Sequence, residues 1–225
     1  MQPSSSMPMP SAGSSKPARD RAVFINCPFD PKYRPLFRAM CFTILACGYV
    51  PRCALDYSDS GEVRFQRIVE ILSECGLSVH DLSRVELDKG SGLPRFNMPL
   101  ELGADLGLRL KGPKQQRQRR TLILDAVAHR YDKTLSDISG QDIEAHGNKA
   151  DQVVARVRDW LNTNRGDTPP LPGAKALYDD YKGYLKLAPD IAKEFRLDEH
   201  SALNHVDFLY TVEMALPLIE AARSR

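Results

Sequence analysis

One carboxylate is set apart by its surroundings. In the stretch GLPRFNMPLELGADLG, from Gly92 to Gly107, Glu101 falls early in a predicted helix that follows a loop punctuated by Gly92 and Pro94. Asn97 is a suitable N-cap, and Pro99 falls in the first turn, where a missing N–H costs little. Leu100, Gly103 and Gly107 recur at helical spacing on one face. Glycine weakens a helix, so this face is expected to admit a neighbouring strand or a ligand. Glu101 projects from an adjacent face, with Asp105 one turn further on. A glutamate in this place either complements the helix dipole or does chemistry, and spacing alone favours neither.

Other groups with chemical capacity fall at the ends of predicted strands. In NCPFD, Asn26, Phe29 and Asp30 can contact a ribose or a base, and Asp30 can equally cap the helix that follows. The turn has no glycine, which excludes a G-x-G-x-x-G pyrophosphate cradle. Asp56 ends a second strand. Arg64 and Arg67 open the next helix, where guanidinium groups either grip a phosphate or form a solvated face. His80 lies within a third strand with no second His or Cys at ligand spacing, which favours a core histidine over a metal ligand. The basic run KGPKQQRQRR, Lys111 to Arg120, lacks interleaved aromatics and reads as a solvated connection.

The segment HDLSR followed by FNMPLELG resembles the arrangement D-[LI]-[ST] … N-[VM]-x-[YF]-E-[LI]-G of bacterial TIR-like proteins and the related nucleoside 2-deoxyribosyltransferases. The similarity spans roughly Val23 to Trp160 as an order of elements, and its specific residues are concentrated between Asp81 and Gly103. Pro99 and Leu100 stand where the family often has apolar-aromatic residues. The resemblance implies that Glu101 is a catalytic carboxylate acting on an N-glycosidic bond, with Asp81 and Ser83 framing the pocket floor beside it. The expected substrate-binding set is then Asn26, Phe29, Asp30, Asp56, Arg64, Asp81, Ser83, Phe96 and Asn97. No metal is expected, and no cofactor other than NAD as substrate.

The implied reaction is cleavage of the nicotinamide–ribose bond of NAD, in an effector of the kind bacteria use against phage and keep silent until it assembles. Two alternatives stay open: a nucleoside 2-deoxyribosyltransferase or hydrolase, and a non-catalytic nucleotide-binding signalling module.

The remaining composition is that of an ordinary globular chain. Of 225 residues, 42% are hydrophobic and 27% charged, enough for one core and a small second unit. Thirty-one basic residues nearly balance twenty-nine acidic ones, for a formal charge of +2, so a nucleic-acid-coating role is not indicated. The five cysteines, Cys27, Cys41, Cys47, Cys53 and Cys75, lie in apolar segments without C-x-x-C spacing. They suggest neither a disulfide framework nor a zinc site, and point to reduced thiols in a cytoplasmic protein. No apolar run reaches the ~18 residues of a membrane span, and no signal pattern opens the chain.

Met1 to Asp20 is rich in Ser, Pro and Gly and reads as a flexible tail. Strands are expected at Ala22–Asn26, Tyr49–Leu55, Leu77–Leu82, Thr121–Asp125 and Asp142–Ala145. Helices are expected at about Tyr33–Cys47 and Glu62–Glu74, in the Glu101 segment, and at Lys149–Leu161. This alternation predicts an α/β fold of the flavodoxin/TIR-like kind: a parallel sheet of about five strands with helices on both faces. GDTPPLPG, Gly166 to Gly173, is the best boundary. The expected organisation is therefore a tail to residue 20, an α/β domain over 21–163, a linker over 164–173, and a helical region over 174–225. Two C-terminal helices are expected at Ala174–Leu187 and Ser201–Ala222. The second carries Leu203, Val206, Leu209, Tyr210, Met214 and Leu218 in an apolar stripe that must pack either on the first unit or on a second copy of the chain.

Overall fold

The structure, a computed structural model, describes residues 17–57, 59–84, 92–133 and 135–223. The first sixteen residues of the expected tail therefore lie outside the described residues.

Five strands form one all-parallel sheet: β1 (Ala22–Asn26), β2 (Val50–Cys53), β3 (Leu77–Asp81), β4 (Arg120–Asp125) and β5 (Ile143–Ala145), in the order β2-β1-β3-β4-β5. The helices are α1 (Arg34–Ala46), α2 (Arg64–Glu74), α3 (Asn97–Lys111), α4 (Lys114–Arg117), α5 (Ala150–Thr163), α6 (Ala174–Glu194) and α7 (His205–Arg223). This is the doubly wound, flavodoxin-like order, whose strand sequence reverses direction between β1 and β3. At that switch point Asn26 of β1 stands in register with His80 of β3.

The strands are short apolar runs, and alternate residues face opposite sides of the sheet, supplying three core clusters. Val23, Ile25, Val79, Leu122 and Leu124 join α1, α5, α6 and α7 in the larger core. Ala22 and Phe24 meet Ile68, Ile71 and Leu72 of α2, while Ile123 meets Met98 and Leu102 of α3. Both faces of the sheet are thus covered, as a parallel sheet requires. Gly48, at φ +77°, closes α1 in the left-handed conformation that lets the chain turn directly into β2. Gly76 permits a backbone approach: a Cβ there would lie 2.8 Å from the Arg19 carbonyl oxygen.

The structure corrects several expected elements. β2 ends at Cys53, before Ala54 and Leu55. α6 runs on through Pro189 to Glu194, and its buried residues include Ala188, Ile191 and Ala192 beyond the expected stop at Leu187. α7 starts at His205, and its buried stripe is His205, Phe208, Thr211, Val212, Ala215 and Ile219. Leu203, just before α7, is buried as expected, but Val206 is 60% exposed and Leu218 41% exposed. α7 is apolar nearly all round, so its periodicity left the inward side ambiguous. The stripe packs within the chain: Phe42 of α1 lies 5.3 and 5.6 Å from the rings of Tyr181 and Tyr184 of α6, and Tyr184 meets Phe208 at 5.9 Å.

Among the described residues no strand approaches the glycine face of α3, one of the two expectations for it. Leu100 is 57% exposed, and a Cβ added at Gly103 or Gly107 would meet nothing within 4 Å. Met98, Leu102 and Asp105 face inward instead. The basic run is not simply a solvated connection either, since it contains α4 and its Arg119 is 0% exposed. Among the described residues no helix is long and apolar enough to cross a membrane.

Candidate active site

Glu101 sits more than a turn inside α3, because the helix starts at Asn97 with Phe96 as its N-cap residue and no side-chain cap. Asn97 is therefore the first helical residue and not the cap. The dipole effect fades within the first turn, so it does not account for an acid at this position. One turn of helix separates Glu101 from Asp105, whose carboxylate is fully buried; Glu101 is half-buried beside it on the inward side. It makes no hydrogen bond or ion pair with the described residues. Burial pushes its carboxyl up to about 7, opposed only by the positive charge of Arg64. A carboxylate partly removed from water, with no partner among the described residues, is poised to meet a charge brought from outside.

The floor beneath it is rigid because nearly every other polar group is satisfied internally. Asn26 donates from Nδ2 to the Met98 carbonyl at 2.8 Å and lies 2.9 Å from His80 Nδ1, tying β1 to the start of α3. His80 Nε2 lies 3.1 Å from Asp105 Oδ2, which also accepts from Ser78 at 2.7 Å and Thr121 at 2.8 Å. Arg119 pairs with the other Asp105 oxygen. Burial alone would raise the Asp105 carboxyl; the His80 hydrogen bond and the charges of His80 and Arg119 outweigh it and bring it down to about 2.

Asp81 is buried at the end of β3. It accepts from the Tyr33 hydroxyl and, at 2.8 Å, from the Ser83 backbone N–H. His146 Nε2 lies 2.9 Å from both Asp81 Oδ2 and Ser83 Oγ. Its Nδ1 accepts the Asn148 N–H at 3.1 Å, which leaves the proton on Nε2, facing Asp81. These bonds hold the Asp81 carboxyl below its usual range despite the opposing effect of burial. Cys27, next to this cluster, is a neutral thiol, raised first by burial and then by the charge of Asp81, with a further contribution from Glu101.

The structure separates the sequence-predicted residues into two kinds. Asn26, Asp81 and Ser83 are bonded within the protein and act as scaffold. Asp30 accepts the Lys32 and Tyr33 backbone N–H groups at 3.0 and 3.1 Å, and so turns the chain into α1, with Arg84 3.4 Å away. Asp56 is held by Arg52 at 2.7 Å and His205 at 3.2 Å. The groups free to meet a ligand are Glu101, Arg64, Phe29, and the outward-facing Phe96 and Asn97, with Phe96 66% exposed. Phe29 packs edge-on against Phe37 at 5.2 Å and lines a cavity of about 810 Å³ together with Leu55, Tyr57, Arg64 and His205. Arg64 also lines a second hollow of about 340 Å³. Glu101 lines neither; Ala54, Tyr57 and Arg64 line both hollows, and of these Arg64 also acts on the Glu101 carboxyl. Arg67, by contrast, stacks on Tyr57 and pairs with Glu62 and Glu70.

Three residues of this region carried no signal of their role in the sequence. Arg119 lies in a basic run that reads as solvated, while His146 and His205 reach Asp81 and Asp56 from distant segments. Only the topology joins them. Comparison with family models, with characterised proteins and with solved structures finds no match for the chain.

Proposed function

We propose that the chain cleaves the bond between a ribose and its base, with Glu101 as the acting carboxylate and the nicotinamide–ribose bond of NAD as the target. The observation that carries this reading is Glu101 itself: half-buried, without a partner among the described residues, raised to about 7, and on a helix whose start is tied to β1 at the switch point of a parallel sheet, where such folds bind ligands. As the base leaves, C1′ becomes oxocarbenium-like, and an anion held in a partly dry site stabilises that charge far better than water does. Nicotinamide departs from a cationic nucleotide and needs no added proton, so one carboxylate suffices. Arg64, at the N-terminus of α2, is the group suited to a phosphate of the dinucleotide.

The protonation state separates this from the nearest alternative. If ionised Glu101 is needed, kcat/KM for NAD rises with pH and levels off above about 7. A purine deoxynucleoside has a poorer leaving group that gains from protonation, and with Glu101 as the acid the rate would fall over the same range. Incubating the purified protein with NAD, and separately with deoxynucleosides plus a free base, and following released bases by chromatography tests both. Nicotinamide release by wild type and its loss in Glu101→Gln is the expected result. Base exchange without NAD consumption would transfer the reading to a deoxyribosyltransferase. Release of equal nicotinamide by wild type and variant would remove Glu101 from the chemistry, and silence towards both substrates would leave a binding module.

A further inference from the structure

A second cluster, which does not include Glu101, lies where the start of α7 meets the end of β2. Cys53 Sγ, Asp56 Oδ1 and His205 Nε2 converge from the last residue of β2, the loop after it and the first residue of α7. The sulfur lies 3.4 Å from His205 Nε2 and 3.6 Å from Asp56 Oδ1, and the last two atoms are 3.2 Å apart. A tetrahedral zinc ion with bonds of about 2.0–2.3 Å needs donor separations of about 3.3–3.6 Å. The three atoms already form one face of such a tetrahedron.

The arrangement does not suit a cysteine–histidine–aspartate relay. There the carboxylate holds the ring nitrogen opposite the one facing the sulfur. Here both partners crowd the same nitrogen, and His205 Nδ1 is buried without a partner among the described residues. Two of the three donors, moreover, are held by neighbouring groups. Arg52 Nε binds the other Asp56 oxygen at 2.7 Å, and the Leu55 N–H donates to Cys53 Sγ at 3.4 Å. Such outer contacts orient ligands in metal sites. His205 and Leu55 also line the cavity of about 810 Å³, which offers a fourth, open position to water or a ligand.

We propose that Cys53, Asp56 and His205 bind a zinc-class divalent ion, with the cavity serving its fourth coordination position. On binding, the ion replaces the Cys53 thiol proton, which leaves to solvent. Thiolate and carboxylate then balance the two positive charges, with the imidazole neutral. Sequence spacing concealed the set because His205 lies 152 residues from Cys53 along the chain.

The test uses the full chain, stripped with a chelator and titrated with cobalt(II). One ion per chain with a thiolate-to-cobalt charge-transfer band, bleached by zinc, is expected. Cys53→Ser should lose the band, and His205→Gln should lower zinc affinity at least about tenfold. Zinc should raise the melting temperature of wild type and of Glu101→Gln, which keeps this site apart from the glycosidic reading, but not that of His205→Gln. A folded wild-type protein that takes up no cobalt, or a band that persists in Cys53→Ser, would overturn the assignment.

Discussion

Glu101 is costly to keep, and the cost has a definite pH dependence. Its carboxyl titrates near 7 in the folded chain against 4.5 as the ordinary value, so between these values the folded state holds a proton that the unfolded state has released. Stability therefore falls as pH rises from about 4.5 to 7, by at most about 3 kcal/mol, and stays lower above that. Glu101→Gln lacks this penalty. We expect the variant to match wild type near pH 4 and to unfold at higher denaturant near pH 8, while losing about 10²–10³ or more in turnover. Equal pH profiles of stability for the two proteins would show that Glu101 is not desolvated. The acid itself could be picked out in the sequence, since it stands in a helix opened by a loop and a proline. Its isolation could not, because that depends on Asp105, one turn further along the helix, taking the buried partners His80 and Arg119, with none left for Glu101 among the described residues.

At the scale of elements, α3 is locked to the sheet by polar groups as much as by apolar ones. Asp105 gathers His80 and Ser78 of β3, Thr121 of β4 and Arg119 into one buried cluster. Removing its charge strands Arg119 in a site with no exposure. Asp105→Asn is expected to cost about 3–5 kcal/mol, read as a drop in the denaturation midpoint. A loss below about 1 kcal/mol would mean that Arg119 finds solvent. Because the Asp105 carboxyl is held down to about 2, its contribution is complete above the ordinary value of 3.8 and disappears as pH falls towards 2. Strands and helices alternating along the chain made this layered sheet legible in advance, down to the weak β5, because each strand is a short run bounded by turns. The glycines of α3 admit no neighbouring strand: among the described residues nothing lies within 4 Å of a Cβ at Gly103 or Gly107, and periodicity alone does not say which of two faces is inward.

The whole molecule is joined by the side of the sheet that carries α1 and α5. There α6 and α7 extend the same apolar core, with Phe42, Tyr184 and Phe208 in contact across three helices. Arg38 of α1 adds polar ties: it donates to the His200 carbonyl at 2.7 Å and the Leu203 carbonyl at 3.1 Å, and it lies over the Phe208 ring. The proline-rich segment after α5 looked like a boundary because composition marks where regular structure stops; it carries no information on whether the pieces on either side share a core. A shared core implies one cooperative transition. Phe208, 1% exposed, should cost about 3–5 kcal/mol when replaced by alanine. That loss should appear equally in far-ultraviolet circular dichroism and in the fluorescence of Trp160, the sole tryptophan, which lies on α5. If α6 and α7 were a separate unit, Phe208→Ala would melt them first and leave the Trp160 transition where it was. Coincident, equally shifted curves would establish that the C-terminal helices are part of the scaffold on which β1, β3 and α3 hold Glu101 in place.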